Sequence, residues 1–373
     1  MPRTRRESLA FTVVVTVLVV LGALLMLAIL ALSGAPAITL LATVLAALPV
    51  GPLIATYLWL DRYEPEPKRL LAYGLLWGAF VATVAAIVIG GVGGYVAGFS
   101  ENVSLAIVAP VTEEASKGFF LLLLLWWRRA ELDGILDGIV YAGMVGIGFA
   151  FTENILYLTA AYNGTDMTGP GGLAGVTGTF VVRCVFSPFA HPLFTAFFGI
   201  GVGLAVTSRS RGFRVLAITG GYLLAVTAHG LWNGSTIFGF GSFAIVYLVL
   251  MAPALVGLFC LAIWAQRSEA RMLTAALTDA AQRGLVPATD IGWVVDLRAR
   301  RAARQYAAQY GGPAAARAMR DYQQAAVELG FLHNRMLRGT APKDWQARGQ
   351  EFVARIGEVR PHIAFPGQVV PVR

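Results

Sequence analysis

Glu113, Glu114 and Lys117 lie inside a stretch that is otherwise apolar from Val103 to Trp127. An ionisable group in hydrocarbon costs about 2.5–3.5 kcal/mol or more, so each one marks a functional site by default. Helical spacing lets Lys117 pair with Glu113 (i, i+4) or with Glu114 (i, i+3), and either pairing leaves one carboxylate over. Three later apolar stretches carry groups of the same kind: Glu153 with Asn154, Arg183 with His191, and His229 with Asn233. His229 and Asn233 are four residues apart, which places them on one helix face. Histidine nitrogen and glutamate oxygen are ligands for a divalent metal, and a glutamate can also act as a base toward water with no metal at all. A lone intramembrane histidine is more often a hydrogen-bonding group between helices than a ligand. The conjunction is stronger, because every such burial must be offset by partners at the same depth.

The rest of the chain must place these groups in a membrane. Its 373 residues are 57% hydrophobic and 13% charged, with a mean hydropathy of +0.67, which excludes an ordinary soluble protein and predicts an all-α polytopic membrane protein. Apolar runs predict eight transmembrane helices, at Ser8–Leu32, Ala37–Leu60, Leu70–Gly94, Val103–Trp127, Ile135–Ala160, Thr179–Val206, Val215–Phe238 and Phe243–Ala265. Residues 1–265 thus form a membrane domain and residues 266–373 a basic helical tail. The tail holds 16 Lys and Arg against 9 Asp and Glu, so it carries +7 of the formal +8. No nucleic-acid-binding motif accompanies that charge, which reads as a solvated helical surface able to rest against anionic headgroups. Cys184 and Cys260 fall in or beside apolar runs and support neither a disulfide framework nor a zinc finger.

Loop cations set the orientation. Arg3, Arg5 and Arg6 precede the first run, Arg62, Lys68 and Arg69 follow the second, Arg128 and Arg129 the fourth, and Arg209, Arg211 and Arg214 the sixth; the loops near Gly34, Ser100, Gly164 and Gly239 have none. Both termini are therefore expected in the cytoplasm. The basic start and Ala35-Pro36-Ala37 imitate a signal peptide, but the apolar core is too long, so an uncleaved first span is expected. Residues 61–69 read as a rigid connector. Glycines at 90, 91, 93 and 94, at 134 and 138, and at 199, 201 and 203 suit close helix packing. The glycine-rich outer loop of residues 161–178 reads as a linker or a flap. In the tail, Thr289-Asp290 is a candidate helix cap, and Gly311-Gly312-Pro313 and Gly339 to Pro342 are breaks. His333 and His362 have no acidic or cysteine neighbours at ligand spacing and read as structural.

Depth supplies a test. At 1.5 Å per residue, Glu113 and Glu153 lie about 15 and 10 Å from the outer ends of their spans, and His191 and His229 about 18 and 14 Å. All four share one level between midplane and outer surface, where they can surround one cavity.

These residues also carry a resemblance. Glu113-Glu114-Ala115-Ser116-Lys117 matches EExxK, Phe149 to Asn154 matches FxxxEN, and His191 and His229-x-x-Trp232-Asn233 follow in order. The pattern resembles the PrsW-type family of intramembrane proteases, related to the CAAX endopeptidases and bacteriocin-immunity homologues. The resemblance implies an endopeptidase of the bacterial plasma membrane that hydrolyses a membrane-anchored protein of the anti-sigma-factor class on the extracytoplasmic side. It further implies a glutamate-activated water and a divalent metal, zinc being expected. The wider group has EExxxR and FxxxH where this chain has EExxK and FxxxE, which puts prenyl recognition in doubt. Carried over residue by residue, Glu113 or Glu114 is the general base, with Lys117 as partner to the other. His191, His229, Glu153 and Glu114 are candidate metal ligands, and Glu153 also counts with the catalytic set. Asn154, Asn233 and Arg183 are supporting groups, Arg183 having a second reading as an outer-interface snorkeller. The rival readings are a transporter with a Glu/Lys/His relay, against which the absence of paired broken helices counts, and a non-catalytic membrane partner of the same fold. Sequence leaves the oligomeric state open.

Overall fold

The computed structural model describes residues 9–32, 36–164, 171–342 and 344–367. Arg3, Arg5, Arg6, Gly34, Ala35 and residues 165–170 of the glycine-rich loop, on which several expectations rested, lie outside them. The described residues contain helices and no strand, as hydrocarbon demands of a chain that must satisfy its own backbone. Among the described residues seven helices are long and apolar enough to cross a membrane, and six of them are labelled whole: α1 (Leu9–Leu32), α2 (Pro36–Leu60), α3 (Lys68–Val96), α5 (Ile135–Asn163), α8 (Arg211–Ile237) and α9 (Phe240–Gln282). The seventh, Gly172–Thr207, is interrupted, and we label its parts α6 (Gly172–Phe180) and α7 (Ala190–Thr207). The expected fourth span is also helical, as α4 (Ala109–Trp127), but its three charged side chains set it apart from the seven. These seven helices and α4 correspond one to one with the eight expected spans.

Contacts divide the described residues into two units, one within residues 9–61 and 65–263, the other within residues 62–64 and 264–367. In the first unit α5 is the axis. Of its apolar window 89% is buried, against 22% for α1 and 11% for α9, and it packs on α2, α3, α4, α6 and α7. Glycine makes that possible. A Cβ at Gly138 would stand 2.0 Å from the carbonyl oxygen of Gly199 on α7, and one at Gly148 would stand 1.9 Å from that of Leu75 on α3. Of the glycines near the end of α3, only Gly90 and Gly94 face a neighbouring side chain, those of Thr112 and Ser104.

Two proline-induced irregularities shape the unit. Pro110 has no N–H to give to the turn before it, and the helix widens to π geometry over Ser104–Val108. Before Pro188 the chain likewise widens over Val181–Phe186 and then breaks, with Ser187 at φ −128°, ψ 35°. The expected continuous span Thr179–Val206 is therefore two helices, because the residue before a proline is driven out of helical geometry. The glycine-rich loop is also shorter than expected, since α6 already begins at Gly172.

The second unit is a helical bundle of α10 (Ile291–Val295), α11 (Leu297–Arg338) and α12 (Trp345–Val359) with the end of α9. Gly312 (φ 68°) kinks α11 just before Pro313, and Gly339 (φ 66°) ends it, both as expected. Asp290 stands at the N-cap position of α10 without a side-chain cap bond, and Asp296 caps α11, accepting from the N–H of Arg298 and Ala299 at 2.7 and 2.8 Å. The Asp290 side chain is buried, taking the Tyr322 hydroxyl at 2.6 Å and Arg360 Nε at 2.5 Å. Burial, then that hydrogen bond, push the Tyr322 phenol above its usual range. His333 contacts Asp279, a partner 54 residues distant that spacing along the chain does not reveal.

Candidate active site

Four helices deliver the polar groups to one point. α4 brings Glu113, Glu114 and Lys117; α5 brings Glu153 and Asn154; α7 starts at Ala190 and brings His191 in its first turn; α8 brings His229 and Asn233. Local irregularity does the aiming. On α3, the Trp77 indole donates to the Ser116 carbonyl at 2.9 Å, and Ser116 Oγ lies 3.3 Å from the Ala82 carbonyl oxygen, which fixes the turn of α4 that carries Lys117. At the widened turn before α4, Asn233 Nδ2 donates to the Leu105 carbonyl at 3.1 Å, and Gly230 lets α8 close on Ala106. Gly146 of α5 does the same for α7: a Cβ there would stand 2.7 Å from the backbone of Pro192 and 2.8 Å from the His191 carbonyl oxygen.

Lys117 is fully buried, and its Nζ lies 2.8 Å from Glu114 Oε1, 3.2 Å from Glu113 Oε2 and 3.1 Å from His191 Nδ1. The expectation that one carboxylate would be left over by the ion pair is corrected, because a flexible ammonium with three donors serves both. The same Nζ lies 3.7 Å from the centre of the Phe149 ring. Glu114 is saturated: Oε1 is also 2.9 Å from His229 Nδ1, and Oε2 accepts from Thr195 Oγ1 at 3.1 Å. Glu113 keeps 7% of its surface where Glu114 keeps none, and its Oε2 is 3.8 Å from His229 Nε2. Glu153 lies 2.6 Å from His191 Nε2 and forms a short ion pair with Arg183, whose Nε donates to Asn154 Oδ1 at 2.8 Å. Arg183 therefore turns into the bundle, over the Tyr157 ring, and the snorkelling alternative is corrected. All nine residues singled out by sequence meet here or in the adjoining cavity.

Glu113, His191 and His229 can each present one ligand atom within 4.8 Å of the others. Two imidazoles and a carboxylate suit a divalent ion such as zinc. Each imidazole also has its other nitrogen held by a carboxylate, Glu114 for His229 and Glu153 for His191, as metal-binding histidines commonly do. Glu114 and Glu153, expected among the ligands, thus lie behind the histidines, and Glu113 takes their place in the converging set. The Lys117 ammonium already sits among the same oxygens and nitrogen, which makes the point a cation site by construction.

Sequence reasoning did not single out Thr195, Phe194 or Tyr157, and Phe149 entered only as the first residue of FxxxEN. Phe194 stacks on His229 at 4.7 Å and Phe149 lies 5.1 Å from His191. The i, i+4 spacing of His191 and Thr195 was a usable signal; Phe194 and Tyr157, aromatic residues on apolar helices, gave none. A cavity of about 170 Å³ opens beside His191, with Asn154, Arg183 and Asn233 among its walls. Larger grooves, of about 580 and 610 Å³, belong to the 264–373 unit and contain none of these groups.

Residues 66–258 match the PrsW family intramembrane metalloprotease, over just more than half of the chain, and that span holds every residue of the cluster. The chain belongs to this family. Among curated relatives, Protease PrsW of Oceanobacillus iheyensis is 30% identical over 146 residues, 39% of this chain and 58% of that protein. Protease PrsW of Geobacillus kaustophilus is 28% identical over 191 residues, 50% of this chain and 76% of that protein. No solved structure matches the chain. Against the PrsW family span, the C-terminal unit from Trp264 onward lies wholly beyond the match.

Proposed function

We propose that this chain is an intramembrane endopeptidase that hydrolyses a peptide bond of a membrane-anchored protein, the anti-sigma-factor class being the substrate class in view. The reading rests on one observation: the buried convergence of Glu113, His191 and His229 inside the family-matched region. Glu113 is the carboxylate assigned to the attacking water, because it alone of the pair retains exposure and faces both imidazoles. Glu114 holds His229 and Glu153 holds His191, so each fixes a tautomer and a ring plane. Arg183 and Asn154 steady Glu153 from behind. Asn233, anchored on the Leu105 carbonyl, stands at the cavity to support charge developing on the scissile carbonyl. Glu113, His191 and His229 would hold a divalent metal, zinc in this reading, which when bound supplies a lowered pKa for water and polarises the carbonyl. The reaction is assigned to residues 1–265, with residues 266–373 as a cytoplasmic appendage, in a bacterial plasma membrane.

The test is cleavage of a single-span substrate by purified protein in detergent. Wild type is expected to cut at one site, and Glu113→Gln and His191→Ala to lose about 10²-fold or more, the usual worth of a general base. Cleavage that persists at wild-type rate in both variants would sink the assignment. Metal analysis of the same preparations is expected to find one divalent ion per chain in wild type and less in His191→Ala.

A further inference from the structure

Beside the reacting groups lies the cavity of about 170 Å³, and its position, size and lining bear on what the enzyme accepts. We propose that it is the subsite for a side chain flanking the scissile bond, and that it admits one small or medium-sized residue. The proposal rests on the endopeptidase reading above and deepens it.

Position comes first. His191 forms part of the wall, so whatever fills the cavity lies against the group that faces the reaction. Size follows. The volume is close to the roughly 150 Å³ of an engineered cavity that takes one benzene, and below the roughly 300–1,000 Å³ of pockets for larger ligands. One side chain fits; a lipid chain or a folded helix does not.

The lining separates into two kinds. Ala150, Trp232 and Phe243 supply apolar surface, and Asn154, Arg183 and Asn233 polar surface. Ala150 and Asn154 are four apart on α5, so a single helix face presents both kinds. An apolar side chain with its peptide group attached has the same division. The lining residues also differ in exposure. Ala150 and Trp232 are 7% and 8% exposed, whereas Val182 is 39% exposed and Thr236 is exposed as well. Ser187 and Pro188, where the α6–α7 path is broken, also line the cavity. A substrate helix must be locally extended before its peptide bond can be attacked, and an interrupted helix leaves room for that. Ala150 sets the depth, because every larger residue there would project into the cavity.

The experiment varies both sides of the fit. The residues flanking the cleavage site of a substrate cut by the full-length wild-type protein are replaced one at a time, and kcat/KM is measured for each. Rates are expected to be highest for Ala to Leu on one side of the bond and to fall for Phe and Trp. Ala150→Leu is expected to lower the ratio of Leu-substrate to Ala-substrate rates by about 10- to 200-fold, the range that a methylene or so decides in an apolar pocket. Thr236→Leu, at the exposed rim where folding is not at risk, is expected to shift the ratio in the same direction. In Glu113→Gln protein, a photo-crosslinker at the selected substrate position is expected to mark Trp232 or Phe243. Uniform loss over all substrates in Ala150→Leu, an unchanged ratio in Thr236→Leu, or crosslinks confined to other helices would each overturn the subsite. Failure of wild type to cleave any substrate overturns the endopeptidase reading instead, and the subsite falls with it.

Discussion

Lys117 holds the cluster's charge balance. Its ammonium is fully buried and has Glu113, Glu114 and His191 as partners. Without it, two adjacent carboxylates would share a buried site with no cation at contact distance, the situation in which breaking a buried pair costs about 3–5 kcal/mol. Lys117→Met is therefore expected to lower the thermal midpoint in detergent markedly. A divalent ion would replace the missing positive charge, so the loss is expected to be smaller in zinc than in chelator. Equal losses in both media would mean that these carboxylates hold no cation but the lysine. Membership of this cluster was legible in the sequence, because each ionisable group stood alone in an apolar run at a common depth. The pairing was not legible, since i, i+3 and i, i+4 both suit Lys117, and only the meeting of α4 with α7 and α8 assigns Glu114 to His229 and Thr195. For the same reason Glu113, rather than Glu114 or Glu153, converges with His191 and His229: spacing along one helix does not say which oxygen points across to the next.

Among the elements, α5 and α7 set the precision of the site. Gly146 lets the backbone of His191 and Pro192 lie against α5, and a Cβ at 2.7 Å from that backbone must push it away. A displacement of about 1 Å in a reacting group can cost about 10²-fold. Gly146→Ala is accordingly expected to lower kcat by about that factor. Gly220→Ala, where an added Cβ meets nothing within 4 Å, is expected to keep wild-type activity. Should both variants cleave at the wild-type rate, the Gly146 contact does not position His191. The helices themselves were readable from apolar length, and the glycines from their spacing. The break at Ser187-Pro188 was hidden, because hydropathy averages over a proline that backbone sterics do not ignore. The widened turns at Ser104–Val108 and Val181–Phe186 were equally silent: the rearranged backbone is matched by groups from other helices, such as Asn233 on the Leu105 carbonyl.

For the whole molecule, parity decides what α4 must do. Among the described residues seven helices qualify as spans by length and apolarity, and α4 does not because of Glu113, Glu114 and Lys117. With seven crossings the cation-bearing segments would fall on opposite sides, Arg62, Lys68 and Arg69 facing one way and Arg209, Arg211, Arg214 and the basic tail the other. With α4 as an eighth crossing, every one of them shares a side, as the positive-inside tendency requires. Its 19 residues reach about 28 Å, enough for a hydrocarbon core of about 30 Å once the preceding turn is added. The expense of its charges is met inside the bundle, where all three have partners. We therefore propose eight crossings with both termini in the cytoplasm. In a cysteine-free background, a single cysteine in place of Phe99, which is 52% exposed, is expected to react with a membrane-impermeant maleimide in intact cells. Cysteines replacing Ala130 and Ser208 are expected to react only after lysis, and a reporter fused after Ala265 to signal from inside. If the cysteines at 99 and 130 label from the same side, α4 does not cross, and the active site would then have to be reached from a different face of the membrane.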